Sequence, residues 1–457
     1  MKRLLLGTTL TLLVGLLLVG CAEPGLTLTL GSAGPPGPTT VDGINVVRGA
    51  TFVVAASDSS PQSRAQADYV ADGVDDQVEI QAAIDTLPAG GGTVLLLEGT
   101  YLLEGDSPYD SSIVIMPTKD SVSLIGSGFS TVLKVVDNYT GGATMVLGTS
   151  QVEGYRVDNF RVAHLKIDGN YENAGAADMK GIIITFSTNT VVENVWVYKM
   201  QTYGIMTGGA TYGTIIRNNV VEECFDGQIG VFSSKYALVE GNRVLVGSRS
   251  TLEGIPITDS EYSIITNNYV EANAIAAITP HYNSSHTIIS NNTIKASGTA
   301  RGIYFRGEIS PGGEMNHNTI TGNYINGAYR GISMELGEAS VMSYNLIAGN
   351  MILNSQREGI FLQGVSHNRI HNNFVVGSSQ EADNTYDNIY LEDSDYNYVS
   401  DNSVRWGDET NKSRYGVNIS NAGCDNNIVK DNDLYDAGST ANLNDGGTGT
   451  IVEGNRE

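Results

Sequence analysis

Along most of this chain apolar and polar residues alternate in short runs, without the three- and four-residue spacing of an amphipathic helix. The stretch from Ile264 to Ile294 shows the unit. Ile265-Thr-Asn-Asn268-Tyr-Val270 and Ile289-Ser-Asn-Asn292-Thr-Ile294 repeat one phrase, with a short run, Ala277 to Thr279, between the copies. The second asparagine of the phrase returns at Asn219, Asn242, Asn268, Asn292, Asn323, Asn350, Asn373, Asn402 and Asn432, and again at Asn455. The eight intervals from Asn219 to Asn432 cover 213 residues, about 27 each. A fixed period of that length, filled by period-two strands, predicts a solenoid of parallel strand turns. An asparagine at one corner of every turn is expected to stack on its copies, bonding its amide into the next turn while tolerating a left-handed bend.

A second phrase falls between the asparagines: Gly204-Ile205, Gly230-Val231, Gly254-Ile255, Gly302-Ile303, Gly331-Ile332, Gly359-Ile360 and Gly416-Val417, with Asn388-Ile389 as a variant. Each turn therefore has two clear strands and a shorter third. Upstream the rhythm changes. Asp76 and Glu79 form a capping-box pattern, and Ile80, Ala83, Ile84 and Leu87 line one face of a short helix that Gly90, Gly91 and Gly92 end. Laid across the first turn, such a helix would cover the core and strand edges exposed there.

These phrases, together with the block Ala67-Asp-Tyr-Val-Ala-Asp-Gly73 through Glu98-Gly-Thr-Tyr101, resemble the right-handed parallel β-helix superfamily. The pectate-lyase-like and copper-maturation-protein-like repeat families are the particular likeness, running from about Thr51 to the C-terminus. The resemblance implies an all-β fold: a single right-handed parallel β-helix with an N-terminal amphipathic capping helix. It says little about activity, because such helices include lyases, hydrolases, epimerases, phage tailspikes and proteins without catalysis.

The ends and the charge narrow the picture. Lys2 and Arg3, an apolar run from Leu4 to Val19, and Leu18-Val19-Gly20-Cys21 resemble a bacterial lipoprotein signal. The expectation is a signal over residues 1–20, lipid on Cys21, a Gly/Pro-rich linker over 21–50 and a β-helix over 51–457, exported and tethered to the cell surface or outer membrane only by acyl chains. Cys224 and Cys424 lie eight intervals apart, too far for a disulfide, and are expected to be buried as small apolar side chains. With 26 basic against 50 acidic residues the net charge is -24, which disfavours nucleic acid and anionic lipid as partners. An acidic polysaccharide would need a local basic patch or a divalent cation.

Candidate chemistry comes in two places. Asp168, Asn170, Glu172 and Asp178 supply oxygen ligands that could hold Ca²⁺, although the spacing matches no calcium loop and a turn closed by Asp-Gly accounts for it equally. Aligning the Gly-Ile strands gives the second place. Their second positions, facing solvent, read Met206, Phe232, Pro256, Thr279, Tyr304, Ser333, Phe361, Tyr390 and Asn418. Their fourth positions read Gly208, Ser234, Thr258, His281, Arg306, Glu335, Gln363, Glu392 and Ser420. At ~4.8 Å between turns, His281, Arg306 and Glu335 form a column beside Tyr304. Arg306 could neutralise a uronate carboxylate while His281 or Tyr304 exchanges a proton with the sugar and Glu335 orients either. Phe232, Asp259, Phe361, Gln363, Tyr390 and Glu392 are the surrounding candidates for binding polysaccharide. An ordinary sheet face with paired charges accounts for the same residues.

Two function classes stand: a polysaccharide lyase or epimerase working on uronates, and a non-catalytic glycan-binding or structural protein of the cell envelope. Where mannuronan epimerases carry Tyr-Gly-Phe-Asp-Pro-His, this chain has Tyr203-Gly-Ile-Met-Thr-Gly208, without the Asp and His. The polygalacturonase-type Asp phrases are also missing. Glu335 and Glu392, two turns or ~9.6 Å apart, stand at the outer limit for inverting hydrolysis, which disfavours a glycoside hydrolase.

Overall fold

From Ile182 onward the chain visits three sheets in turn, most turns adding one strand to each. In one turn Ile264–Thr266 lies in the first sheet, Tyr269–Ala272 in the second and Ala276–His281 in the third; Ile288–Ser290 then re-enters the first beside Ile264–Thr266. This computed structural model describes residues 50–104, 115–117, 119–139, 157–175, 178–247, 253–307, 313–337 and 341–457, with short strand pieces at 40–41 and 44–45. The three sheets contain sixteen, twelve and eleven strands, and the pairings within them are parallel and follow sequence order except at the start of the first, where Tyr69–Val70 lies on the outer edge of Thr51–Ala55. The coil is a right-handed parallel β-solenoid of about 12 turns.

The chain divides into two units, Met1–Arg48 and Gly49–Glu457. In the first, Thr40–Val41 pairs antiparallel with Ile44–Asn45. The signal, Cys21 and nearly all of the linker lie outside the described residues.

The interior is a column of aliphatic side chains, such as Ile265, Val270, Ile278, Ile289, Ile294 and Ile303, all with no exposed surface. Cys224 and Cys424 are free thiols buried in it, as expected, and burial pushes the Cys224 thiol up to about 12. The second sheet meets the third at the Gly-Ile phrase, where glycine and isoleucine both face inward and strict alternation breaks. A Cβ on Gly302 would lie 2.6 Å from Ile325 Cγ2, and one on Gly359 2.3 Å from Val375 Cγ1, so only glycine fits this close approach.

The asparagine ladder stands between the first and second sheets. Asn292 Nδ2 donates to Ile265 O and to Asn323 Oδ1, each at 3.0 Å, while its Oδ1 accepts from the backbone N and the Nδ2 of Asn268. Every polar atom of the amide is thereby used. The expected left-handed bend falls on another residue: it is carried by the position before each ladder asparagine, as at Asn218, Asn267, Asn291 and Asn372. A second, unforeseen ladder, Asn318, Asn345, Asn368, Asn397 and Asn427, repeats the device where the third sheet meets the first.

A helix does occupy Gln77–Thr86, and it buries Gln77, Ile80, Gln81, Ala83 and Ile84. The expected capping box does not form. Asp76 has helical torsions and makes no side-chain cap bond; its carboxylate instead accepts from Gly73 N at 2.7 Å and Leu102 N at 2.6 Å, tying the loop before the helix to the strand Gly99–Leu103.

Candidate functional site

On the outer face of the third sheet the register forms three columns. The residue before each glycine, or before its equivalents Ala277 and Asn388, faces outward, giving Glu253, Ala276, Arg301, Arg330, Glu358 and Asp387. The middle column runs Thr279, Tyr304, Ser333, Phe361, Tyr390. The third runs Thr258, His281, Arg306, Glu335, Gln363, Glu392, in the order the strand alignment gives. His281, Arg306 and Glu335 are thus neighbours on successive strands, with Tyr304 beside Arg306.

Charge pairing organises this face. Glu335 accepts from Arg301, Nε to Oε1 at 3.0 Å and Nη2 to Oε2 at 3.3 Å, and from Arg330 Nη1 at 2.9 Å. Arg330 also donates to Glu358 Oε2 at 2.7 Å and lies over the Phe361 ring at 3.8 Å. The Arg301 guanidinium covers Tyr304 at 4.2 Å. Glu253 faces His281 Nε2 at 3.4 Å and Arg306 Nη1 at 3.9 Å. Glu335 therefore anchors two arginines instead of orienting His281. Burial pushes the Tyr304 phenol above its usual range, helped by the Glu335 charge and opposed by Arg301 and Arg306, so Tyr304 holds its proton more firmly than a free phenol. On either side of it the hydroxyls of Thr279 and Ser333 are buried without a hydrogen-bond partner.

Several expectations need correcting. Phe232 is displaced by two residues: Gly230 pairs with Met206, and Phe232 pairs with Thr258 in the third column, edge-on to Tyr203 at 5.2 Å. The cause is the Gly227–Phe232 strand, which enters the sheet earlier than its Gly-Val phrase suggests. Phe361 is not exposed; only 2% of it is accessible beneath Arg330. His281 faces outward but is 7% accessible. Asp259 is exposed and accepts from Asn283 Nδ2 at 2.9 Å. Gln363 donates to Glu392 at 3.0 Å, and the half-buried Tyr390 ring meets Phe361 at 5.4 Å.

The oxygen cluster does not converge. Asp168 accepts from Tyr198 OH at 2.5 Å, Asn170 donates to Val135 O and Asp137, Glu172 pairs with Lys199 and Asp178 with Lys180. Among the described residues no three His, Cys, Asp or Glu side chains are grouped so as to hold a metal ion.

Strand alternation missed Arg301, Arg330, Glu253 and Glu358, because two consecutive residues face inward at the Gly-Ile corner. The signal was present in the repeated pattern of a charged residue directly before Gly254, Gly302, Gly331 and Gly359.

Residues 150–308 match the family model of the right handed beta helix region, and residues 276–388 and 313–456 match that of the periplasmic copper-binding protein (NosD). Over those residues the chain is similar to these two families, and its fold is a right-handed parallel β-solenoid. Among curated proteins it is similar to mannuronan C5-epimerases of Azotobacter vinelandii. It is 31% identical to AlgE1 over 219 residues, 45% of this chain and 14% of the relative. It is 32% identical to AlgE2 over 216 residues, 45% of this chain and 20% of the relative. The chain thus spans a small part of these relatives' length. Among solved structures, the AlgE6 A-module of the same organism superposes with a TM-score of 0.56 at 19% identity, covering 83% of this chain and 94% of the module. A tailspike protein of E. coli bacteriophage HK620 in complex with pentasaccharide gives 0.58 at 15% identity, covering 83% and 74%. At these identities the likeness shows the fold alone.

Proposed function

We propose that this chain is an exported polysaccharide-acting β-helix protein that holds a uronate-bearing glycan on the outer face of its third sheet, at Tyr304. The carrying observation is the conjunction around that ring: Arg301 and Arg306 beside it, and two buried hydroxyls without partners flanking it. Guanidinium groups pair with sugar carboxylates, and an unpartnered buried hydroxyl is stabilised by a ligand or water atom that reaches it. On a chain of net charge -24 the local arginines are the guanidinium donors available to an acidic polymer, although each is paired with Glu335, Glu358 or Glu253, so a bound carboxylate would compete with those pairs.

A second reading, turnover at the same place, draws support from the protonated Tyr304 phenol and the adjacent His281. Arg306 would stabilise charge on the carboxylate as the neighbouring carbon loses its proton to His281, and Tyr304 would return a proton to the sugar. Similarity to mannuronan C5-epimerases favours this chemistry; the missing Asp and His at Tyr203–Gly208 favour binding. Incubation with uronate and neutral polysaccharides separates the two, by absorbance of unsaturated ends, chain size, epimer content and retention in affinity electrophoresis. Tyr304→Ala and Arg306→Ala are each expected to weaken polyuronate retention by about tenfold or more, since a hydrogen bond to a charged group contributes about 1.5–3 kcal/mol. Wild-type retention in both variants sinks the placement.

Attachment through lipid on Cys21 is part of the same proposal, supported by the Lys2-Arg3 and apolar run before it. Cys21→Ser is expected to move the protein from the membrane fraction to the soluble one, or to leave it unprocessed, because the acyl chains supply the anchoring energy. Unchanged fractionation counts against it.

A further inference from the structure

Seven aromatic side chains stand one per turn where the third sheet meets the first: Tyr236, Tyr262, His286, His317, Tyr344, His367 and Tyr396. Their ring centroids are spaced 5.4, 4.7, 5.2, 5.4, 5.2 and 5.1 Å. All seven have left-handed backbone torsions, φ between 53° and 60°. Elsewhere the same slot holds Asn189, Gly213, Asn426 or Gly449, residues that accept this conformation more readily. An unbroken run of rings at a position that disfavours them points to a role for the side chains. The tyrosines are open to solvent, with 59% of Tyr236, 42% of Tyr262, 57% of Tyr344 and 53% of Tyr396 accessible.

Two residues further along each turn the outward position of the first sheet carries Leu238, Ile264, Ile288, Thr319 and Leu346, aligned strand by strand. Ile264 and Ile288 are 38% and 39% accessible. Ring and aliphatic columns thus run side by side across five turns. Neither contains a lysine, arginine, aspartate or glutamate over that length, on a chain of net charge -24. Beside the rings, Asn283, Ser285 and Asn316 line the surface around Tyr262, His286 and His317, tied to one another and to Glu314, whose carboxylate accepts from Asn316 Nδ2 at 3.4 Å, while Glu261 is paired with Lys235 at 3.0 Å.

We infer that this stripe is a second glycan surface, for an uncharged, extended polysaccharide lying along the solenoid axis. The net charge opposes a second copy of the chain or an anionic polymer on this stripe, where the cations alongside are Lys235, paired with Glu261, and Arg369 in the turn of His367. The chemistry matches a neutral glycan: aliphatic side chains meet its C–H faces, and phenol and imidazole edges, repeated each turn, meet its hydroxyls. Ring faces are used by stacking within the ladder, so contact is along ring edges, with open faces only toward Gly213 and Asn426. This surface shares no residue with the Tyr304 face, and the two fail independently.

The test is depletion of the full-length protein from solution by insoluble cellulose, chitin and a β-1,3-glucan, with soluble polymannuronate retention measured in parallel. The double variant Tyr262→Asn/Tyr344→Asn keeps the backbone, because asparagine occupies the same slot at Asn426 with φ 55°. The expected result is depletion by at least one neutral polymer that persists in high salt and falls about tenfold in the variant, with polymannuronate retention unchanged. No wild-type depletion, depletion lost in salt, or equal depletion of the variant overturns the inference. A variant that melts lower yet still binds assigns the ladder to stability alone, and also overturns it.

Discussion

Asn350→Leu is expected to lower folding stability by about 3–5 kcal/mol. The side chain is 1% accessible and makes four hydrogen bonds: Nδ2 to Ile320 O at 2.9 Å and to Asn373 Oδ1 at 3.0 Å, and Oδ1 from the backbone N and Nδ2 of Asn323 at 3.1 and 3.0 Å. Leucine preserves volume but leaves two Asn323 donors and the Ile320 carbonyl without those partners in a dry corner. Each such orphan costs about 1–3 kcal/mol, partly offset by the gain from burying an apolar side chain. Asn455→Leu is the control. Asn455 is the last rung and only partly buried, so water replaces what the amide gave and the expected cost is under about 1 kcal/mol. Urea unfolding with an unchanged m-value measures both. Equal midpoints for wild type and Asn350→Leu would remove the ladder from the account of stability.

The fold was legible because a solenoid writes its geometry into the chain once per turn. Any one Asn-x-Val phrase is weak evidence, yet its return from Asn219 to Asn432 fixed both the period and the stacking slot. What the repeat could not show is what happens at corners, where backbone direction changes within two residues. There Gly302 and Ile303 both face inward, which concealed Arg301 behind an apparently apolar phrase. The same limit displaced Phe232, since its strand begins before the glycine used to align it. In the outer column from Thr258 to Glu392 the period-two rule held, because no bend intervenes between Ile303 and Arg306 or their equivalents. Partners were harder to read than positions. Sequence placed Glu335 beside Arg306, but its hydrogen bonds go to Arg301 and Arg330, both from the unseen column, Arg330 in its own turn and Arg301 in the neighbouring one.

Those partners give Glu335→Gln two effects of opposite sign. The carboxylate sits among guanidinium groups with 17% of its side chain accessible, against 20% for Arg301 and 14% for Arg330. Glutamine keeps the shape and one acceptor but removes the charge, leaving Arg301 undercompensated while Arg330 keeps Glu358. Breaking a well-buried pair costs about 3–5 kcal/mol; with partial exposure and one surviving pair, a loss of about 2 kcal/mol is expected in urea melts. The face also becomes more positive by one charge next to Tyr304. If Arg301 and Arg306 receive uronate carboxylates, polymannuronate retention should rise severalfold in low salt, with the gain fading as ionic strength screens it. Lower stability with tighter acidic-glycan binding is the signature of a carboxylate that restrains the arginines. Retention that falls as far as in Arg306→Ala would instead make Glu335 itself a contact to the sugar, and unchanged retention would move the glycan away from this face.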